Sequence, residues 1–163
     1  MKFNYDSYCG LYCGACPFLT ATQKGENNLK QLHEKISKKN KNIELRDLKC
    51  KGCKSQQHSI YCESCEIREC AEKRGIEYCY ECSQYPCDFL KNFRNDDASH
   101  HSVIFKNLET IQMMGKNKWL ENQKKRWQCD ECGEEYTWYD KECQNCGNKL
   151  FNAVEEEELL END

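Results

Sequence analysis

Apolar residues recur at helical steps in only a few stretches of this chain. Over residues 26–40, Leu29, Leu32 and Ile36 fall at i, i+3 and i+7, which predicts a surface helix with one apolar stripe. Lys30, Lys35, Lys38 and Lys39 occupy the rest of its circumference, and His33 sits beside the stripe, a packed histidine or a spare nitrogen ligand. From His100 to Trp127 the helical step returns with Ile104, Leu108, Ile111, Met114 or Gly115, and Leu120, predicting a connecting helix over residues 98–126. Met113 and Met114 read as core filler or as the lining of a pocket. Shorter signals predict a two-turn helix over Ile67 to Arg74 closed by Gly75, and a helix through Phe93 with Pro86 in its first turn and Cys87 near its N-terminus. The run Glu155 to Glu158 reads as an acidic helix or tail.

These stripes supply little core. Leu, Ile, Val and Phe number 27 of 163 residues, below the ~20% at which chains begin to resemble disordered ones. Something other than apolar burial is expected to hold the chain together, and 15 cysteines point to it. No apolar run has the length of a signal peptide or a membrane span, so a cytoplasmic chain with reduced thiols and no membrane contact is expected. Clustered cysteines then read as metal ligands, and a structural zinc site contributes on the order of 10–16 kcal/mol in small peptides. The net charge of −4 gives no global reason to expect nucleic acid. The charge is uneven, however: residues 20–54 carry ten Lys/Arg against four Asp/Glu, and Lys124-Lys125-Arg126 forms a second basic run before Trp127.

One cysteine pattern occurs twice. Cys62, Cys65 and Cys70 repeat 17 residues later as Cys79, Cys82 and Cys87. A Cys-x-x-Cys turn points two thiolates at one ion. Each set of three needs a further ligand, and Cys50 and Cys53 are the nearest spare pair, which predicts two closed four-sulfur sites. Upstream, Cys9, Cys13 and Cys16 form C-x3-C-x2-C among glycines. That spacing reads as an iron–sulfur or zinc site completed from elsewhere, or as the open [4Fe–4S] site of a radical-SAM enzyme. The enzyme reading is disfavoured, because such barrels need roughly 200 residues or more and Ala15 stands where an aromatic is usual. The last cysteines, Cys129, Cys132, Cys143 and Cys146, form two C-x-x-C-G knuckles ten residues apart. They resemble a zinc ribbon and, at the knuckles, a rubredoxin, with Tyr136, Trp138 and Tyr139 suited to a short hairpin over the metal. The short link favours zinc over iron.

Residues 5–95 closely resemble the DUF3795 family, a cysteine-rich family of bacterial and archaeal proteins of unknown function. The resemblance rests on Cys-Gly-Leu-Tyr-Cys-Gly-Ala-Cys-Pro at Cys9, the Cys50-Lys-Gly-Cys53 knuckle, and the run from Cys62 through Ile67-Arg68, Lys73-Arg74-Gly75-Ile76-Glu77 to Tyr85-Pro86-Cys87. It implies metal, zinc foremost, and no reaction. Its eleven cysteines divide as 4 + 4 + 3, and the odd set, expected to be Cys9, Cys13 and Cys16, needs a histidine (His33, His58, His100 or His101), a water or an outside molecule.

The expected fold is therefore a small metal-stabilised α+β chain: short helices and loops around metal knuckles over residues 1–97, the connecting helix 98–126, a zinc-ribbon β-hairpin over 127–152 and an acidic tail over 153–163. The function expected first is a noncatalytic zinc-binding interaction module with a protein or nucleic-acid partner. An iron–sulfur or labile-metal redox or sensing role of the Cys9/Cys13/Cys16 set is the alternative. Hydrolytic zinc catalysis is weakest, since neither His-Glu-x-x-His nor His-x-Glu with Pro-Cys-x-x-Cys is present and a four-sulfur shell has no open position.

Overall fold

The computed structural model describes residues 2–161. Its organising piece is the irregular segment before the first helix. The Asn4 amide donates to the Lys51 carbonyl (2.8 Å), the Cys79 amide to the Tyr8 carbonyl (2.9 Å) and the Cys13 amide to the Tyr5 carbonyl (2.8 Å). Three knuckles thus hang on one short stretch of backbone. Two glycines let the backbones meet. A Cβ on Gly52 would collide with the Asn4 carbonyl, and one on Gly10, at φ 90°, would lie 2.9 Å from the Ile104 carbonyl oxygen.

Beneath these backbone links lies a buried charge. One oxygen of the Asp6 carboxylate accepts from Lys54 Nζ (2.6 Å) and the Tyr78 hydroxyl (2.7 Å), and the other from Asn4 Nδ2 (3.0 Å). The side chains of Asp6 and Lys54 are 3% and 13% exposed, and the ammonium lies 3.9 Å from the centre of the Tyr78 ring. Burial alone would raise the Asp6 carboxyl, but the hydrogen bonds from Lys54 and Tyr78 outweigh it and hold the group below the usual carboxylate range.

Eight α-helices follow among the described residues. α1 (Pro17–Lys24) starts with Pro at its first position and breaks at Gly25, where α2 (Glu26–Ser37) turns back against it. Leu29 is buried with Ala21, Ile43 and Leu48, and Leu32 and Ile36 pack on this small cluster, as their spacing predicts. α3 (Ile60–Glu63) leads to α4 (Glu66–Arg74), which Gly75 ends in the left-handed conformation (φ 63°). A 3-10 turn at Cys79–Glu81 precedes α5 (Asp88–Arg94), and Cys87 is the residue that caps α5. The predicted start is thus displaced: Pro86 stands ahead of the cap, outside the first turn.

The predicted single helix over 98–126 is two. α6 (Ile104–Met114) and α7 (Lys116–Arg126) are separated by Gly115 at φ 81°, and they pack on each other. The break redirects the apolar stripe. Ile104, Leu108 and Ile111 are buried, but the stripe continues into Trp119, whose indole meets Tyr12 edge-on, while Met113 and Met114 are exposed. Asn107 Nδ2 donates to the Gly10 carbonyl (2.9 Å), which fixes α6 on the N-terminal segment.

The expectation of an α+β fold with a C-terminal β-hairpin is corrected. Among the described residues there is no strand or sheet, only isolated bridges, two of them at Gln128 with Glu135 and at Glu142 with Lys149. The aromatics expected to form the hairpin sink into the core instead. The Trp138 amide donates to the Ala15 carbonyl (3.1 Å) and its carbonyl accepts from Ala153 (2.8 Å), where α8 (Ala153–Glu161) begins. Tyr136 accepts from Arg126 Nη1 (2.7 Å) and donates to the Phe151 carbonyl (2.9 Å). One hydrophobic core consequently runs from Cys9 to Ala153. No helix in the described residues is long and apolar enough to cross a membrane.

His100 seals the same contact from the other side. Its ring stacks on Trp138 (3.8 Å between centroids, 16°) and shares a 2.7 Å hydrogen bond with the Tyr139 hydroxyl. Burial, with His101 adding to it, holds the imidazole down to about 3.

Two predictions follow from these buried groups. Asp6→Asn leaves the Lys54 ammonium buried without its partner, and is expected to cost about 3 kcal/mol in guanidinium denaturation; a loss within a few tenths of a kcal/mol would show the pair to be unimportant. The unfolded chain takes up a proton on His100 below about pH 6.5 that the folded chain refuses until about pH 3. This group's contribution is whole above that window and falls as pH drops through it, by up to about 2 kcal/mol between pH 7 and 5. His100→Phe keeps the stack and removes the titration, so its stability should fall less over that interval than that of the parent chain.

Candidate metal centres

The C-terminal cysteines come from two knuckles of the same shape. In the first, the Cys129 amide donates to the Glu134 carbonyl (2.9 Å) and the Gly133 amide to the Cys129 carbonyl (2.7 Å). In the second, Cys143 donates to Asn148 (2.8 Å) and Gly147 to Cys143 (2.9 Å). Gly133 and Gly147 both sit at φ 75°, a conformation any side chain would strain. Each knuckle contributes one buried sulfur, Cys129 or Cys143, and one exposed sulfur, Cys132 or Cys146.

The four sulfurs lie within 4.8 Å of one another, with Cys129–Cys146 at 3.6 Å and Cys132–Cys143 at 3.5 Å. Four metal–sulfur bonds of ~2.3 Å in a tetrahedron set the sulfurs about 3.8 Å apart. The set therefore fits one metal ion, and these four cysteines can hold one. The Asn145 side chain and the Glu134 amide hydrogen-bond Cys132 and hold its thiol below the usual range, while the hydrogen bonds that Cys146 shares with the other three sulfurs push its own thiol up. Asn145 was not singled out from the sequence, although its place inside the second Cys-x-x-Cys is a usable signal.

The eleven N-terminal cysteines are brought together differently from the sequence repeat. Cys70 leaves the first repeat and lines one cavity with Cys79, Cys82 and Cys87. Cys62 and Cys65 lie instead toward the upstream knuckles: Cys62 feels the charges of Cys50 and Cys65, Cys16 those of Cys50 and Cys62, and Cys53 those of Cys9, Cys65 and Cys62. Cys13 completes this group of seven through Cys53, Cys16 and Cys50. Cys79, in turn, is pushed up by burial and then by Cys9, ahead of Cys87, Cys70 and Cys82, so Cys9 and Cys79 join the two neighbourhoods. Burial first, then neighbouring thiolates, push Cys9 up to about 11 and Cys16 up to about 12. Such thiols ionise at neutral pH only where a cation compensates them.

The histidines have other partners. His33 Nε2 meets the Ile43 carbonyl (2.8 Å), His58 Nε2 the Cys53 carbonyl (2.9 Å), and His101 Nδ1 the Asp96 carboxylate (2.8 Å). Among the described residues, none of them joins the one tight ligand group. The basic run before Trp127 is largely engaged within the chain. Lys125 pairs with Glu121 (2.9 Å), and Arg126 pairs with Glu156 (3.2 Å), bonds Tyr136 and the Phe151 carbonyl, and stacks on Trp127.

No curated protein and no solved structure matches the chain. A family model does: the one described as a protein of unknown function, DUF3795, matches residues 5–92, which is 88 of 163 positions and more than half. The stretch it matches contains Asp6, Lys54 and Tyr78, the eleven N-terminal cysteines and the glycines at which the knuckles meet. On that match, the chain belongs to the DUF3795 family.

Proposed function

We propose that this chain is a metal-folded, noncatalytic interaction protein in which Cys129, Cys132, Cys143 and Cys146 hold a structural zinc ion. The observation that carries this reading is the mutual approach of four sulfurs within 4.8 Å. A shell of four protein thiolates leaves no position for a water or a substrate, which is the signature of a structural and not a catalytic zinc. The ten residues between the knuckles support zinc over iron, being far fewer than separate the knuckles of a rubredoxin. Bound there, zinc supplies the positive charge that four converging thiolates need.

Interaction with a macromolecular partner is the second part of the proposal, and a protein partner is favoured over nucleic acid. Lys125 and Arg126 already answer Glu121 and Glu156, and Arg126 lies over the ring of the exposed Phe151. A phosphate-binding face needs cations whose counterions it can release.

Cys143→Ser and Cys146→Ser are each expected to lower zinc by one ion per chain and to loosen the contact of Trp138 with Ala15, read as a rise in tryptophan solvent exposure. Unchanged zinc content in both variants, or iron bound at this place, would overturn the assignment. Affinity for single-stranded DNA or RNA that weakens steeply with salt would move the partner to nucleic acid.

A further inference from the structure

A cleft of about 240 Å³ opens between the N-terminal segment, α7 and the segment that links the C-terminal knuckles. Tyr12 lies at its floor. This residue is 8% exposed, its ring lies 6.4 Å from that of Tyr5, and its phenol end rests on Gly14, where a Cβ would collide with it. Gly14 and both tyrosines line the cleft, so the hydroxyl end of Tyr12 points into it. The two other buried tyrosines use their hydroxyls within the chain: Tyr78 donates to Asp6 (2.7 Å) and Tyr136 to the Phe151 carbonyl (2.9 Å). Even the half-buried Tyr5 hydroxyl accepts from Gln23 Nε2 (3.1 Å). The Tyr12 hydroxyl has no such partner among the described residues.

Two uncompensated charges of opposite sign face the same cleft. On α7, Lys116 pairs with Glu77, Lys118 and Lys125 with Glu121, and Arg126 with Glu156. Lys124, which lines the cleft, has no ion pair among the described residues. In the linking segment Glu134 pairs with Lys24, whereas Glu135 lines the cleft unpaired. Burial first, and then the Glu135 carboxylate, raise the Tyr12 phenol, which places that charge near the floor. Lys124 and Glu135 do not pair with each other, so one ligand can answer both. Leu120 and the ring of Tyr5 add apolar wall. A cleft of this size and lining suits a small zwitterion with an apolar body. A simple anion or a simple cation would meet a like charge that nothing on the ligand answers.

We propose that this cleft binds a free α-amino acid, its carboxylate answered by Lys124 and the Tyr12 hydroxyl and its ammonium by Glu135. The proposal goes beyond the zinc reading of the C-terminal cysteines and does not depend on it. The test is calorimetric titration of the full chain, with its metals as purified, against the common L-amino acids. The one that binds most tightly is then compared with its amide and its N-acetyl form, each of which lacks one charge. The parent chain should bind both derivatives about tenfold more weakly than the free amino acid. Tyr12→Phe removes a hydroxyl that holds nothing in the chain, so it should keep the metal content and unfolding temperature and weaken the amino acid about tenfold. Lys124→Met should weaken the amino acid about fivefold and leave its amide unchanged. Conversely, Glu135→Gln should weaken the amino acid and leave its N-acetyl form unchanged, a split that a merely structural loss does not produce. No binding of any amino acid to the parent chain would overturn the proposal, as would equal affinity for the amide or the N-acetyl form, or a folded Tyr12→Phe chain that binds like the parent. If Tyr12→Phe proves unfolded, Lys124→Met decides: an undiminished preference for the free amino acid over its amide rejects the assignment.

Discussion

A single carboxylate, buried almost completely, ties together the parts of this protein that lie far apart in sequence. Asp6 is held by Lys54, from the knuckle of Cys50 and Cys53, and by Tyr78, next to Cys79. Each partner adjoins cysteines of a different group, so one ion pair sets the distance between the two groups. The arrangement is costly in isolation, because a carboxylate and an ammonium both leave water. It is tolerated because every atom of the carboxylate has a donor and because Tyr78 faces the ammonium with its ring. The neighbouring backbone bonds, from Asn4 to Lys51 and from Cys79 to Tyr8, brace the same junction.

The C-terminal cysteines are joined to this junction by packing. Trp138 lies between Ala15 and Ala153 in the backbone ladder and under the ring of His100. Tyr136 and Arg126 tie the segment between the knuckles to α7 and to the residues ahead of α8. A hairpin needs its aromatics to lie across paired strands, and here both large rings are drawn into a core shared with Leu11, Tyr12 and Trp119. The knuckles keep their local geometry because Gly133 and Gly147 fix it within a few residues. The segment between them takes its shape from what it packs on.

This contrast explains what was legible in the sequence. Whatever is fixed by local spacing could be read: α2 from Leu29, Leu32 and Ile36, the end of α4 from Gly75, and the tight C-terminal sulfur group from two Cys-x-x-Cys-Gly turns. Partnerships set by tertiary packing could not. Cys70 belongs to the first repeat by spacing, but it rises from α4, and α4 packs on α5, which places its sulfur with Cys87. Gly115 falls on the helical step of the apolar stripe, but its positive φ breaks that stripe and turns it toward Trp119. Asp6 carried no signal at all, since its partners stand 48 and 72 residues away.

The two kinds of cysteine group also differ in how they are built. The C-terminal sulfurs are brought together by two copies of one turn, a construction that sets all four at nearly the same short separation and leaves no wall between them. Cys70, Cys79, Cys82 and Cys87 arrive from a helix, a 3-10 turn with the residue that closes it, and a helix cap, and share a cavity walled by Ile67, Ala71 and Leu90. Shifting α4 against α5 would uncover the buried Ile67 and Leu90, so the place of these four cysteines depends on packing between elements. The C-terminal group, by contrast, owes its shape to two local turns and needs no such packing to bring its sulfurs together.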